Sequence, residues 1–150
     1  MPSDSCVFCQ IVAGEAEASF AYADVATVVF ADRHPVNPGH VLVVPRRHIS
    51  RIADLDAATA SGIWATAVLV GSAITVSGGE SVGINVLLSD GEVAGQEVAH
   101  VHAHVIPRHR DDGFHIDADA WHDRPPSRQQ LDDSVVSLRA ALSMLESRTP

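Results

Sequence analysis

The sequence predicts an α+β domain, an antiparallel five-stranded sheet with one long helix packed on it and a second helix near the C-terminus. Three observations carry that expectation. Five short segments rich in Val, Ile, Tyr and Phe are set off by Gly, Pro, Asn and Asp. Two pairs of them are joined by links too short for a crossover helix, so these strands must run antiparallel. One long apolar run ends at Gly78-Gly79 and has the length of a helix rather than a strand.

Residues 6–13 (CVFCQIVA) read as a short helical turn or a knuckle, followed by a polar turn from Gly14 to Ala18. Ser19–Ala23 and Val25–Asp32 read as two strands separated by Asp24, because Phe20, Tyr22, Val25, Val28, Val29 and Phe30 suit a pleated surface. Two prolines and a glycine make Asp32–Gly39 a loop. His40–Pro45 is the third strand, ended by its proline. Ser50 or Asp54 is expected to cap the long helix, which runs to about Val76. Ser81–Ser89 is the fourth strand and Val98–Pro107 the fifth, with a glycine-containing loop between them. Residues 109–128 show no period, whereas Leu131–Leu145 has apolar residues at helical spacing and Asp132 and Asp133 in its first turn. The expected organisation is one domain over residues 1–110 and an extension over 111–150 whose helix packs on it.

At 150 residues and 46% hydrophobic composition the chain can bury a core. The net charge of −9 argues against nucleic acid or a membrane surface as a partner, but leaves room for a single nucleotide in a local pocket. All ten basic residues are arginine, so Schiff-base chemistry and a phosphate-loop lysine are excluded. The first residues lack a basic region followed by an apolar core, and the apolar run Ile63–Val76, interrupted by Gly71 and Ser72, reads as a buried helix too short to span a bilayer. A cytoplasmic protein is expected. Cys6 and Cys9 are its two cysteines, too few for a disulfide framework.

The most informative stretch is His100-Val101-His102-Ala103-His104-Val105-Ile106-Pro107-Arg108. Strict alternation puts three imidazoles on one face of a strand, about 6.6 Å apart, with Val101, Ala103 and Val105 facing a core. Such a row can ligate a metal, hold an anion or attack phosphorus. One catalytic zinc shared by all three is a poor fit. The outer pair would lie about 13 Å apart, against zinc–nitrogen bonds of about 2.0 Å.

These residues, preceded by Gly95-Gln96, resemble the His-φ-His-φ-His-φ-φ signature of the histidine triad (HIT) family, φ being apolar. Cys6-Val-Phe-Cys9, Val29-Phe-Ala-Asp32, Pro38-Gly-His40-Val-Leu-Val-Val-Pro45, His48 and Gly83-Ile-Asn85 match in the family's order. The resemblance implies a HIT-like fold and a nucleotide hydrolase or transferase acting at an α-phosphate. His102 would be the nucleophile, passing through a nucleotidyl-histidine. A neutral imidazole suits this role, since its pKa of about 6.5 leaves a lone pair free near neutrality. His104 and His40 would be phosphate donors, joined by the Gln96 amide and backbone N–H groups of residues 95–98. Asp32 would accept from ribose hydroxyls, and Ser89 would lie near the leaving group. Phe8, Ile11 and Phe30 would wall a base pocket, or else are ordinary core residues. Ser89 and Glu97 depart from common family choices (Asn or Gln, and Ser), which loosens any transfer of substrate specificity. A purine nucleotide or nucleotide conjugate is the implied ligand, and a homodimer built on the long helix and an edge strand the implied assembly.

The resemblance further implies one structural Zn2+ per chain, held by Cys6, Cys9, His48 and His100. The bland alternative is a pair of free buried thiols. Two other function classes stay open at this point: a non-catalytic nucleotide-binding or scaffold homodimer, and a zinc hydrolase using the histidine row. His34, His109, His115 and His122 are assigned to loops and surface.

Overall fold

The computed structural model describes residues 6–77, 79–116 and 125–147. They belong to two compact units, one ending at Phe114 and one beginning at His115. The first unit contains helix α1 (Val7–Ala13), strands β1 (Phe20–Ala23), β2 (Thr27–Ala31) and β3 (Val41–Pro45), helix α2 (Ala57–Val76), and strands β4 (Gly83–Leu88) and β5 (Ala103–Arg108). The five strands form one antiparallel sheet in the order β1-β2-β3-β5-β4.

The register of β2 on β3 explains how a five-residue strand can be buried throughout. Val28 pairs with Val44 and Phe30 with Leu42, while the intervening Val29 pairs with Val43. Alternate side chains leave opposite faces of a strand. Val28, Phe30, Leu42 and Val44 therefore join Phe8, Cys9 and Ile11 of α1 in one core, and Val29, Val41, Val43, Ala103 and Val105 join Ile63 and Ala67 of α2 in the other. The 6–13 segment is a helix rather than a knuckle, closed by Gly14 at φ +77°, a conformation that favours glycine.

Several element boundaries differ from the sequence expectations, each for a local reason. Asp24 accepts from the backbone N–H of Ala26 and Thr27 at 2.8 and 2.7 Å, so the chain turns there and β2 starts at Thr27. Neither Ser50 nor Asp54 caps α2. Asp56 does, accepting from Thr59 N–H at 2.8 Å, and Ile52–Asp54 forms a separate 3-10 turn. β5 begins at Ala103, not Val98. Val101 N–H donates to Ile49 O at 2.6 Å, which ties the approach to the segment after β3 instead of to a neighbouring strand of the ladder. Of the three histidines only His104 lies on a strand.

α2 spans 20 residues and so extends beyond the apolar run Ile63–Val76; by length and composition alone, a test that buried core helices also pass, it could cross a membrane. Its Ile63, Thr66, Ala67 and Gly71 are buried, and Thr66 Oγ1 lies 3.1 Å from Thr27 Oγ1 of β2, so this face packs on the sheet. Its outer face leaves Trp64 62% exposed, with Val68 and Leu69 also open.

In the second unit the expected single helix is two, α3 (Arg128–Ser134) and α4 (Val136–Glu146). α3 starts before Leu131 because Ser127 and Gln130 form a reciprocal capping box. His122 lies outside the described residues.

Candidate functional site

The structure divides the histidine row between two centres. His100, fully buried, turns Nδ1 toward the cysteines, 3.6 Å from Cys6 Sγ and 3.7 Å from Cys9 Sγ. His48 Nδ1 lies 3.2 Å from Cys9 Sγ. All four donor atoms lie within 4.8 Å of one another. Adjacent ligands of a tetrahedral ion with zinc–sulfur and zinc–nitrogen bonds of about 2.3 and 2.0 Å are about 3.5 Å apart, so the donor set fits zinc. The outward ring nitrogens are also held: His100 Nε2 donates to Pro45 O at 2.9 Å, and His48 Nε2 lies 3.1 Å from Ser50 Oγ. A carbonyl only accepts, so His100 carries its proton on Nε2 and offers the Nδ1 lone pair to an ion. Cys6 and Cys9 are buried and not joined in a disulfide, well placed as ligands.

His102 shows the opposite arrangement. Its Nδ1 lies 2.7 Å from the carbonyl oxygen of His100 and must donate to it. The Nε2 lone pair is thereby left unprotonated, as a nucleophile requires. The ring is buried and meets Phe8 edge-on, with centroids 5.1 Å apart. Burial lowers the affinity of His102 for a second proton, opposed by the bond to His100 and by the negative charges of Asp32 and Glu97.

His104 forms the third element, with His40 and Asp32. His40 Nε2 is 3.0 Å from His104 Nδ1, and Asp32 Oδ2 is 3.4 Å from each of those nitrogens. The His102 and His104 rings are 4.9 Å apart. Burial pushes His104 down to about 4, helped by neighbouring His102 and His40 and opposed by Asp32; burial also lowers His40. Because His100 faces the cysteines while His104 faces Asp32, no single ion is shared by the whole row.

Other expected site residues are placed differently. Gln96 braces the 91–96 loop: one N–H of its Nε2 donates to Ser50 O at 3.0 Å and its Oε1 accepts from Gly91 N–H at 2.7 Å. The N–H groups of Gly95 and Gln96 already donate to Glu92 O and Gly91 O. Phe8, Ile11 and Phe30 are buried together on one face of the sheet, and Phe8 meets the His102 ring. Ser89, at the end of β4, lies beside Gly95, and Glu97 is exposed. The sequence does not identify Ser50, nor which backbone carbonyls, those of Pro45 and His100, pin the rings. Ser50 stood out only as a possible helix cap, and a backbone carbonyl carries no sequence signal.

The depressed histidines make stability depend on pH with a definite sign. An unfolded histidine takes up a proton near pH 6.5, whereas folded His104 does so only near 4. The unfolded state therefore binds more protons between these values, so stability is full above about pH 6.5 and is lost as pH falls toward 4. Urea unfolding from pH 7.5 to 4.5 should show a loss of up to about 1.4 kcal/mol per pH unit for each such ring. His104→Gln should flatten the profile; an unchanged slope in that variant would contradict the assignment.

Known proteins agree with this geometry. The HIT domain family model matches residues 13–111. Protein hit of Bacillus subtilis is 35% identical over 144 residues, covering 93% of this chain and 97% of that protein. A zinc-bound histidine triad family protein from Mycobacterium smegmatis superposes with a TM-score of 0.71 at 36% identity, over 95% of this chain and 96% of the other. A bifunctional bis(5'-adenosyl)-triphosphatase/adenylylsulfatase from Arabidopsis thaliana is 40% identical over 87 residues, 58% of this chain and 48% of that protein. The sheet order, the His-φ-His-φ-His segment and these matches agree: the chain belongs to the HIT domain family.

Proposed function

We propose that this protein is a nucleotide hydrolase or transferase acting at the α-phosphate of a purine nucleotide conjugate. The observation that carries this reading is the bond from His102 Nδ1 to His100 O, which leaves Nε2 as a lone-pair donor in a buried setting. In the first step Nε2 forms a bond to the α-phosphorus while the bond to the leaving group breaks, and the leaving group departs with the electron pair. In the second step water attacks the nucleotidyl-histidine, its proton is released, and His102 regains its lone pair. His104 is the donor to a phosphate oxygen, and His40 sits behind it. Positioning and charge stabilisation supply most of phosphoryl-transfer catalysis, and rings held by a buried scaffold meet that need. Asp32 remains the candidate acceptor for ribose hydroxyls, with Ser89 and Glu97 on the leaving-group side.

The activity of the Arabidopsis relative makes adenylyl sulfate and diadenosine triphosphate the first substrates to test, with adenosine phosphoramidate as a third. Acid-quenched wild-type protein should yield a nucleotidyl adduct with at least one of them. His102→Ala should lose the adduct and reduce turnover by about 10³-fold or more. Failure to trap an adduct with any of the three would leave a nucleotide-binding protein without this chemistry.

Cys6, Cys9, His48 and His100 are proposed to hold one structural zinc per chain, joining α1 to the segments that follow β3 and precede β5. When bound, the ion supplies a cross-link between these segments and no reacting group. Elemental analysis should find one zinc per chain, retained in His102→Ala and lost in Cys9→Ser. Retention in the serine variant would remove this assignment.

The assembly is proposed to be a homodimer. Trp64, Val68 and Leu69 of α2 are large apolar side chains open at the surface, and among the described residues β4 pairs only with β5 and so lies at the sheet edge. Light scattering should give twice the 15.9 kDa chain mass, reverting to a single chain in Leu69→Asp. A monomeric wild type would overturn it.

A further inference from the structure

Asp32, His40 and His104 bring three donor atoms within 4.8 Å of one another, so the first question is whether they hold a second metal ion. Their separations of 3.0, 3.4 and 3.4 Å match adjacent ligands on an ion with bonds of about 2.1 Å. The far side of His40 decides against it. Val36 N–H donates to His40 Nδ1 at 3.1 Å. A backbone N–H cannot accept, so Nδ1 is the unprotonated nitrogen and the ring's proton lies on Nε2. A neutral imidazole ligating through Nε2 needs that proton on Nδ1 instead. His40 Nε2–H therefore faces two acceptors, His104 Nδ1 at 3.0 Å and Asp32 Oδ2 at 3.4 Å, and donated to the nearer it leaves His104 with its own proton on Nε2.

One amide N–H thus sets the proton positions of two rings, and its placement depends on the loop between β2 and β3. That loop is anchored from a distance. Asn37, buried, donates through Nδ2 to Pro107 O and to Asp112 Oδ2, both at 2.8 Å. Its carbonyl oxygen accepts from His40 N–H at 3.0 Å. Asp112 is gripped by Arg108, with Nε on Oδ2 and Nη2 on Oδ1, each at 2.7 Å, and by the N–H groups of His109 and Phe114. These bonds, that with Arg108 foremost, hold its carboxyl far below the usual carboxylate range. Arg108 also donates to Asn85 Oδ1 and Phe114 O, which fixes the guanidinium against β4 and the turn after β5. Gly39, at φ +87°, lets the loop approach closely enough that a Cβ there would lie 3.3 Å from Pro107 Cγ.

We infer that Asn37, anchored by the Arg108–Asp112 pair, is a positioning residue that holds Val36 N–H on His40 Nδ1 and so decides which nitrogen of His40, and through it of His104, carries the proton. The inference deepens the proposed function, in which His104 Nε2–H is the phosphate donor. The side-chain bonds of Asn37, Asp112 and Arg108 run to one another, to Asn85 and to the main chain, so their action on the rings passes through the backbone of residues 36–40.

The test reads proton position directly. Long-range 1H–15N correlation of the full-length, zinc-loaded protein at pH 7.5 should show both His40 and His104 as Nε2–H tautomers and His102 as Nδ1–H. Val36→Pro deletes the N–H, and Asn37→Ala releases the loop; in both, His40 and His104 should become mixed tautomers, with His102 and the zinc content unchanged. A purely structural role predicts a lower unfolding temperature with the tautomers intact, and that result overturns the inference. If either variant fails to fold, Asp112→Asn, nearly isosteric, carries the same expectation. The wild-type spectrum is decisive by itself, since an Nδ1–H proton on His40 or His104 sinks the proposal. So does a second metal ion per chain that is lost in His40→Ala. Tautomers that respond as expected without any trapped nucleotidyl adduct would uphold this device and reject the proposed chemistry, so the two readings fail separately.

Discussion

The site depends above all on one hydrogen bond, from Nδ1 of His102 to the carbonyl oxygen of His100. A neutral imidazole has one proton and two nitrogens, and its chemistry is undefined until something fixes which nitrogen holds the proton. Here main-chain groups do so repeatedly. Pro45 O accepts from His100 Nε2–H, which aims Nδ1 at the cysteines. His100 O accepts from His102 Nδ1–H, which frees Nε2. Val36 N–H blocks Nδ1 of His40. Residues that look alike in the sequence thus receive different chemical roles, and the distinction comes from backbone atoms common to every amino acid.

Burial reinforces this division. Desolvation disfavours the charged imidazolium, so His40, His100, His102 and His104 are all shifted toward the neutral form. Asp32 opposes the shift at His40, His102 and His104, as the nearby negative charge that favours protonation. Neutral rings keep a lone pair for attack or ligation, and they repel one another less than a cluster of cations would. The cost is that protonating these rings in acid works against the folded state.

Much of the fold was legible because strand and helix periods are written in side chains. The apolar residue types of β2 and β3 gave both strands, and the 100–105 alternation put Val101, Ala103 and Val105 inward, where they lie. The metal-ligand set was legible only through family likeness, since Cys6 and His100 are 94 positions apart. What the sequence hid was competition among similar signals. Ser50, Asp54 and Asp56 all look like helix caps, and only the geometry of Thr59 N–H selects Asp56. Alternation across His100 and His102 imitates a strand where the chain is tied to Ile49 instead. Gln96 looks like a phosphate donor, yet its amide is used to shape a loop. These outcomes turn on main-chain partners that composition and spacing do not encode.

The separation of the site residues along the chain also orders events in time. α1, the β2–β3 loop and the segment entering β5 each contribute, so neither centre exists in any contiguous stretch. During synthesis from the N-terminus, Cys6, Cys9, His40 and His48 emerge long before His100, His102 and His104. Closing such distant contacts requires most of the sheet to be in place first, because loop-closure entropy is met before the contacts compensate for it. The bond that fixes the His102 ring therefore cannot form until residues 100–102 have emerged, and a partly made chain holds the parts of the site without their arrangement.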